Sequence, residues 1–199
     1  MPKLHGSAAA LAAAALVSAL LPLALAAQTT EARAELPVLV TSCGQSNGPT
    51  TIKIVLQRLK LAYDIEPLAT PETLKAKPYK TLIVTMGASL KGMGAAGIQI
   101  EDELARTAAL IAEARKQGVK IIGAHIEGMK RRSQGAAAGD TTDEQSIDAV
   151  APNSNILLVY KEGNSDGRFT VISQAKKIPL VEFEKTIDLI PTLEKLFAK

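Results

Sequence analysis

From Leu36 onward, short apolar runs alternate with longer stretches in which apolar residues recur every three or four positions. The first pattern marks buried strands, and the second marks helices lying on a core. Leu36-Pro37-Val38-Leu39-Val40-Thr41 reads as a buried strand ended by Ser42-Cys43-Gly44. Pro49 opens a helix, because proline fits a first turn, and Ile52, Val55, Leu56 and Leu59 share one face of it. Tyr63–Leu68 is a weaker, edge-like strand followed by a turn around Pro71. Lys80–Met86 is apolar on both faces, as a central parallel strand should be. A Gly-rich loop, Gly87–Gly97, comes next. Glu101, Asp102 and Glu103 then stand at the positive start of a helix that stops at Gln117-Gly118.

Val119–Ala124 is the next strand, and residues 127–142 form a polar loop with a flexible Gly135–Gly139 tract. A short helix, Asp143–Val150, follows a cap at Thr142. Asn155–Tyr160 is a buried strand, Gly163–Gly167 a turn cluster, and Phe169–Lys176 a short helix. Ile178–Phe183 is the last strand, and Thr186–Phe197 the last helix, with a kink expected at Pro191. This alternation predicts one α/β domain over residues 36–199. Its fold class is a doubly wound, mostly parallel open sheet with helices on both faces, a Rossmann-like three-layer sandwich. A flavodoxin-like strand order is preferred to a longer Rossmann order.

The first residues follow a different pattern. Lys3 makes a short basic start, Ala8–Leu25 is a run of Ala, Leu and Val broken by Ser18 and Pro22, and Ala24-Leu25-Ala26 is a small-x-small cleavage pattern. Residues 1–26 therefore read as a signal peptide and 27–35 as a short flexible leader. A second small-x-small site, Ala32-Arg33-Ala34, shifts the cut by a few residues. An uncleaved anchor is the competing reading. Cys43 is not a lipidation site, because the charged stretch Gln28–Glu35 separates it from the apolar run. The expectation is an exported protein, periplasmic or extracellular, with no membrane span after cleavage.

Composition narrows the chemistry. With 47% hydrophobic and 22% charged residues the chain has a core to bury. A single cysteine excludes an intramolecular disulfide and a Cys-rich zinc site. A net charge of +3 and few aromatics argue against nucleic acid as a partner.

In doubly wound sheets, ligands bind outside the carboxyl ends of the strands. The loops there hold Ser42, Cys43, Gln45, Ser46, Ser89, Lys91, His125, Glu127, Arg131, Arg132, Asn164, Asp166 and Arg168. Gly92-Met93-Gly94-Ala95-Ala96-Gly97 matches the dinucleotide pattern, but it lies beyond the strand's own turn and precedes an acidic helix start. Thr41–Ser46 resembles the hydroxyl-rich phosphate loop of flavodoxins, with Cys43 where a hydroxyl is usual. Without aromatic residues to stack on a flavin, an anion-accepting nest is the surviving form of that reading. Ser89 with Lys91, or Cys43 with His125, are the weak catalytic candidates. His125 with Glu127 supplies too few ligands for a metal.

Lys91, Arg131, Arg132 and Arg168 make the electropositive part of this edge. Either they meet a ligand, or Asp140, Asp143 and Glu144 pair with them in a solvated loop.

Ser42–Ser46, Gly87–Ile98, Gly123–Met129, the Arg131-Arg132 pair and Asn164–Gly167 together resemble an uncharacterised, domain-of-unknown-function family of exported bacterial α/β proteins. The resemblance implies export and carries no activity. Gly135–Gly139 stands as an insertion in it. The functional expectation is binding of a small anionic or polar ligand at the carboxyl edge. In that reading Gly87–Gly97, including Gly92 and Gly94, covers the ligand, and Lys91, Arg131 and Arg132 supply charge. Ser42, Gln45, His125 and Asn164 orient it. A Ser- or Cys-dependent envelope hydrolase and a partner-binding accessory protein are the alternatives.

Overall fold

Among the described residues six strands form one sheet in which every pairing between them is parallel, in the order β2-β1-β3-β4-β5-β6. They are β1 (Val38–Cys43), β2 (Tyr63–Ile65), β3 (Thr81–Met86), β4 (Lys120–His125), β5 (Ile156–Tyr160) and β6 (Leu180–Phe183). The helices are α1 (Gly48–Arg58), α2 (Pro71–Lys75), α3 (Leu90–Ala96), α4 (Ile100–Lys116), α5 (Thr142–Val150), α6 (Arg168–Lys176) and α7 (Leu189–Phe197). The computed structural model describes residue 1 and residues 32–132 and 141–198. The chain divides into Met1–Thr30 and Glu31–Lys199, and everything below concerns the second unit. The expected signal peptide beyond Met1, most of the leader and the Gly135–Gly139 tract lie outside the described residues.

Side chains alternate across a strand, so each strand feeds two cores. Leu39, Leu82, Val84, Met86, Ile121, Leu157 and Val159 meet α2, α4, α5 and α6 on one face. Val38, Val40, Ile83, Ile122, Ala124, Ile156 and Leu158 meet α1 and α7 on the other. β1 and β3 are buried at every position, which is why their sequences are apolar without alternation. The edge strands β2 and β6 are mostly half-buried. Among the described residues, no helix is long and apolar enough to cross a membrane.

Several expected elements change. β1 runs on through Ser42 and Cys43, because both pair with β3 at Thr85 and Met86. β2 ends at Ile65, as Glu66 donates to Val40 and Pro67 has no amide to give. The turn at Pro71 is a short helix, with Thr70 and Thr73 capping each other.

The expected Gly-rich loop is largely α3. Ser89 caps its start by accepting from the Gly92 amide at 3.1 Å, and Gly97 ends it in the left-handed conformation. Pro191 sits in the first turn of α7, where an intrahelical amide is not needed, so it does not kink the helix.

Candidate functional site

The loop after β1 turns back over the loop after β3. Gly44 (φ +101°) and Gln45 (φ +57°) reverse the chain, Gln45 bridges to Ala88, and the Ser89 amide donates to the Gly44 carbonyl at 2.7 Å. A Cβ at Gly44 would stand 2.6 Å from the Ala88 backbone, so only glycine fits. A Cβ at Gly92 would collide with the Gln45 carbonyl.

This crossing rests on α4. The fully buried Glu103 accepts from the Gly44 amide at 2.7 Å and from Gln45 Nε2 at 3.1 Å. Arg106 holds Glu103 at 3.0 Å through both Nε and Nη2. It also donates to the carbonyls of Ala69 and Ser42. The Gly44 amide, expected in an anion nest, is therefore occupied by the protein's own carboxylate. The glycines of the dinucleotide pattern, Gly92 and Gly94, lie inside α3 and form no phosphate loop.

The arginine pair separates on the turn Gly128–Arg131 that follows β4. Arg132 points inward with its side chain 1% exposed. Its Nε donates to Glu144 at 2.7 Å, its Nη2 to Asp166 at 2.5 Å, and its Nη1 to the Gly163 carbonyl. Arg168 holds the other Glu144 oxygen at 2.9 Å and also pairs with Asp148. Arg132 and Asp166, both expected at the ligand, here serve a network joining this turn to α5 and α6. Desolvation leaves no buried arginine unpaired, and three carboxylates supply that pairing.

Asn164 is likewise structural. Its Oδ1 accepts from the amides of Phe169 at 2.8 Å and Thr170 at 3.3 Å, capping α6, while Nδ2 donates to Thr170 and Glu182.

Arg131 faces the loop crossing. It donates to the Ala88 carbonyl at 2.8 Å and forms an ion pair with Glu127 at 3.5 Å. Asp143, at the start of α5, accepts from the Ala88 amide at 2.7 Å, and Ser146 accepts from Gly87 at 2.9 Å. Burial pushes the Asp143 carboxyl above its usual range, against the Ala88 amide and the Arg131 charge. Among the described residues, Glu127 Oε2 and Arg131 Nε are shielded from solvent and have no hydrogen-bond partner. Lys91 stands exposed on α3.

Cys43 and His125 lie on the same face of the sheet, on strands separated by β3. Two strand spacings, roughly 10 Å, divide their axes. Burial raises the Cys43 thiol to about 11, although a hydrogen bond from Thr107 and the Arg106 charge lower it. A thiol held protonated in this way is a poor nucleophile.

His125 is fully buried beneath Gly163, where a Cβ would stand 2.5 Å from the ring. Its Nε2 meets the Gly128 carbonyl at 3.1 Å, and its ring lies 5.0 Å from that of Phe169. Burial is the largest influence and lowers His125 to about 4, so the ring is neutral at pH 7. Ser42 Oγ is buried without a partner among the described residues, and Ser46 Oγ accepts from the Gly48 amide at 3.3 Å. Among the described residues no group of three or more His, Cys, Asp or Glu side chains could hold a metal.

Sequence reasoning missed Glu103, Arg106 and Ser146 and gave Asp143 and Glu144 only a place in a solvated loop. The i, i+3 spacing of Glu103 and Arg106 was a visible signal. Their inward direction depends on the loop that crosses above them.

Fold and edge together define the class: a doubly wound α/β domain whose polar side chains gather at the carboxyl ends of its strands. The chain belongs to the family described as Domain of unknown function (DUF6305), whose model matches residues 35–197. Among curated proteins there is no match.

Similar solved structures include a GDSL-like lipase from Bacteroides thetaiotaomicron VPI-5482, at 14% identity and TM-score 0.34 over 76% of this chain and 68% of that one. An acetyl xylan esterase, AlAXEase, matches at 9% identity and TM-score 0.38 over 77% of this chain and 80% of that one. A GDP-L-fucose synthetase from Naegleria fowleri bound to NADP matches at 7% identity and TM-score 0.38 over 75% and 50%. At these levels none of them transfers an activity.

Proposed function

We propose that this is an exported domain that binds a small, uncharged polar molecule at the Glu127–Arg131–Asp143 cluster. The observation that carries the reading is Glu127 Oε2, shielded from solvent and without a hydrogen-bond partner among the described residues, beside Arg131 Nε, which has a 3.5 Å ion pair to Glu127 Oε1 but no hydrogen bond. A buried polar atom left unpaired costs about 1–3 kcal/mol, and a ligand that pairs it recovers part of that. A hydroxyl or carboxamide group both donates and accepts, so it serves the carboxylate and the guanidinium together. A free anion is less well matched, because Glu127 and Asp143 already balance Arg131. Hydrolysis through Ser89 or Cys43 has less support, since Ser89 Oγ caps α3 and the Cys43 thiol is buried. Export rests on the basic start, the apolar run and Ala24-Leu25-Ala26.

The test is thermal unfolding of the exported protein with polyols, sugars, amides and simple anions. At a ligand concentration of 100 Kd the midpoint rises by about 5–10 °C. Glu127→Gln and Arg131→Ala each remove the rise while leaving the ligand-free midpoint within a few degrees. A rise that persists in both variants places the ligand elsewhere. Amino-terminal sequencing of the recovered protein begins at or near Ala27; an intact Met1 start defeats cleavage and assigns residues 1–26 to an uncleaved anchor instead.

A further inference from the structure

α1 and α7 cover the same face of the sheet, and they do so with only part of their apolar surface. α1 buries Ile52, Val55 and Leu56, and α7 buries Leu189, Leu193 and Leu196. Ile54 and Ile187 stay outside that packing, each 61% exposed. Single exposed aliphatics are ordinary on a protein surface. These two are not single, because with Val55 and Ile190 they wall one cavity of about 440 Å³ between the helices. That volume falls within the range of small-molecule sites, roughly 300–1,000 Å³.

The groove has a chemical polarity. Thr51, Ile54, Val55 and Arg58 lie on one stripe of α1, which rises roughly 10 Å from the first to the last. Arg58 is the one charged residue in the lining and sits in the last turn of α1. Among the described residues its side chain makes no hydrogen bond or ion pair, unlike surface cations such as Lys77 and Lys161, which hold Asp64 and Glu184. An aliphatic trough with an unpaired guanidinium at its end complements a molecule with an apolar chain and one anionic head.

A protein partner fits less well. A stable protein interface takes about 800 Å² from each side and carries a polar rim with several pairs. This lining is short and offers one charge.

The geometry points to a second binding site, in which the α1–α7 groove takes the chain of a medium-length aliphatic carboxylate and Arg58 takes its head. The site lies on a face of the sheet, apart from the carboxyl edge, and does not depend on the function proposed there.

The test uses the full chain and saturated carboxylates from hexanoate to tetradecanoate, below their micelle concentrations, by titration calorimetry. Each added methylene tightens binding about fourfold until the groove is filled, after which affinity levels off. Ile54→Asp and Ile187→Asp each weaken decanoate at least tenfold. Both side chains are mostly exposed, so both variants fold, and their unfolding midpoints verify it. Arg58→Gln weakens decanoate but leaves decanol unchanged.

Absent saturable binding, or binding untouched by both aspartate variants, overturns the proposal. Equal loss for decanoate and decanol in Arg58→Gln overturns the role of the head. A dimer in sedimentation that Ile187→Asp dissolves, with no carboxylate bound, assigns the groove to a second copy of the chain instead.

Discussion

Replacing Arg132 with alanine lowers stability by about 3–5 kcal/mol and the thermal midpoint by on the order of 10 °C. The reason lies in what the substitution leaves behind. Glu144 is fully buried and divides its charge between Arg132 and Arg168. Without Arg132 one oxygen of that carboxylate faces the interior, and the Gly163 carbonyl loses its donor. Asp166 suffers less, because its side chain is 48% exposed and water replaces the guanidinium.

Arg131→Ala is the contrast. It removes one hydrogen bond to the Ala88 carbonyl and a looser ion pair, for about 1 kcal/mol. Arg132→Met combined with Glu144→Leu recovers part of the loss, since a buried ion pair is often replaceable by apolar side chains of similar volume. Urea unfolding of these four proteins, and of the single variants Arg132→Met and Glu144→Leu that close the double-mutant cycle, measures this. A loss below about 1 kcal/mol for Arg132→Ala means that the network is dispensable.

The two arginines also show what a sequence conveys and what it withholds. Both stand in a polar loop, and as letters they are equivalent. Their directions diverge because they lie on a tight turn after β4, with Gly163 and Phe169 on one side and Ala88 on the other.

The strands were legible for a related reason. β1, β3, β4 and β5 are buried on both faces except at Lys120 and Tyr160, so most positions select for an apolar or small residue and the run itself is the signal. With the strands located, a mostly parallel sheet and its carboxyl edge follow from the alternation of strands and helices with short connections, while the order of the strands does not.

α3 was illegible because Gly92 and Gly94 lower helix propensity, while its cap at Ser89 and stop at Gly97 outweigh them. Glu103 looked like an ordinary acid at a helix start. Its role depends on the Gly44 amide, 59 residues away in sequence, and only the folded crossing reveals it.

Lowering the pH from about 6.5 to about 4 removes roughly 3 kcal/mol of stability through one residue, His125. In the unfolded chain the imidazole takes up its proton near 6.5, and in the fold it does so only near 4. Between those values the unfolded state holds a proton that the native state refuses. The stability is therefore fully present above the unfolded value and is lost as the pH falls towards the folded one.

Burial beneath Gly163 and Phe169 is the dominant cause, and Arg132 adds to it. The Gly128 and Met86 backbone groups and Asp166 act the other way. Asp166 itself stays charged to low pH: burial raises it, but its bonds to Arg132 and to the Arg168 amide outweigh that. Asp143 has the opposite linkage, since burial raises its folded value and the native state gains protons there as the pH falls. It offsets part of the loss without reversing it, being only half-buried.

His125→Gln isolates the contribution, because the one other histidine, His5, belongs to the amino-terminal segment. Urea unfolding at pH 7 and pH 4.5 gives a steep loss in the native sequence and a nearly flat response in the variant, whatever the variant's own stability at pH 7. Equal slopes in the two proteins assign the acid sensitivity to the carboxylates. A steep difference makes the ring a neutral, buried part of the scaffold, unfit as a proton donor at pH 7 and built to support the turn that sends Arg132 inward and Arg131 to the edge.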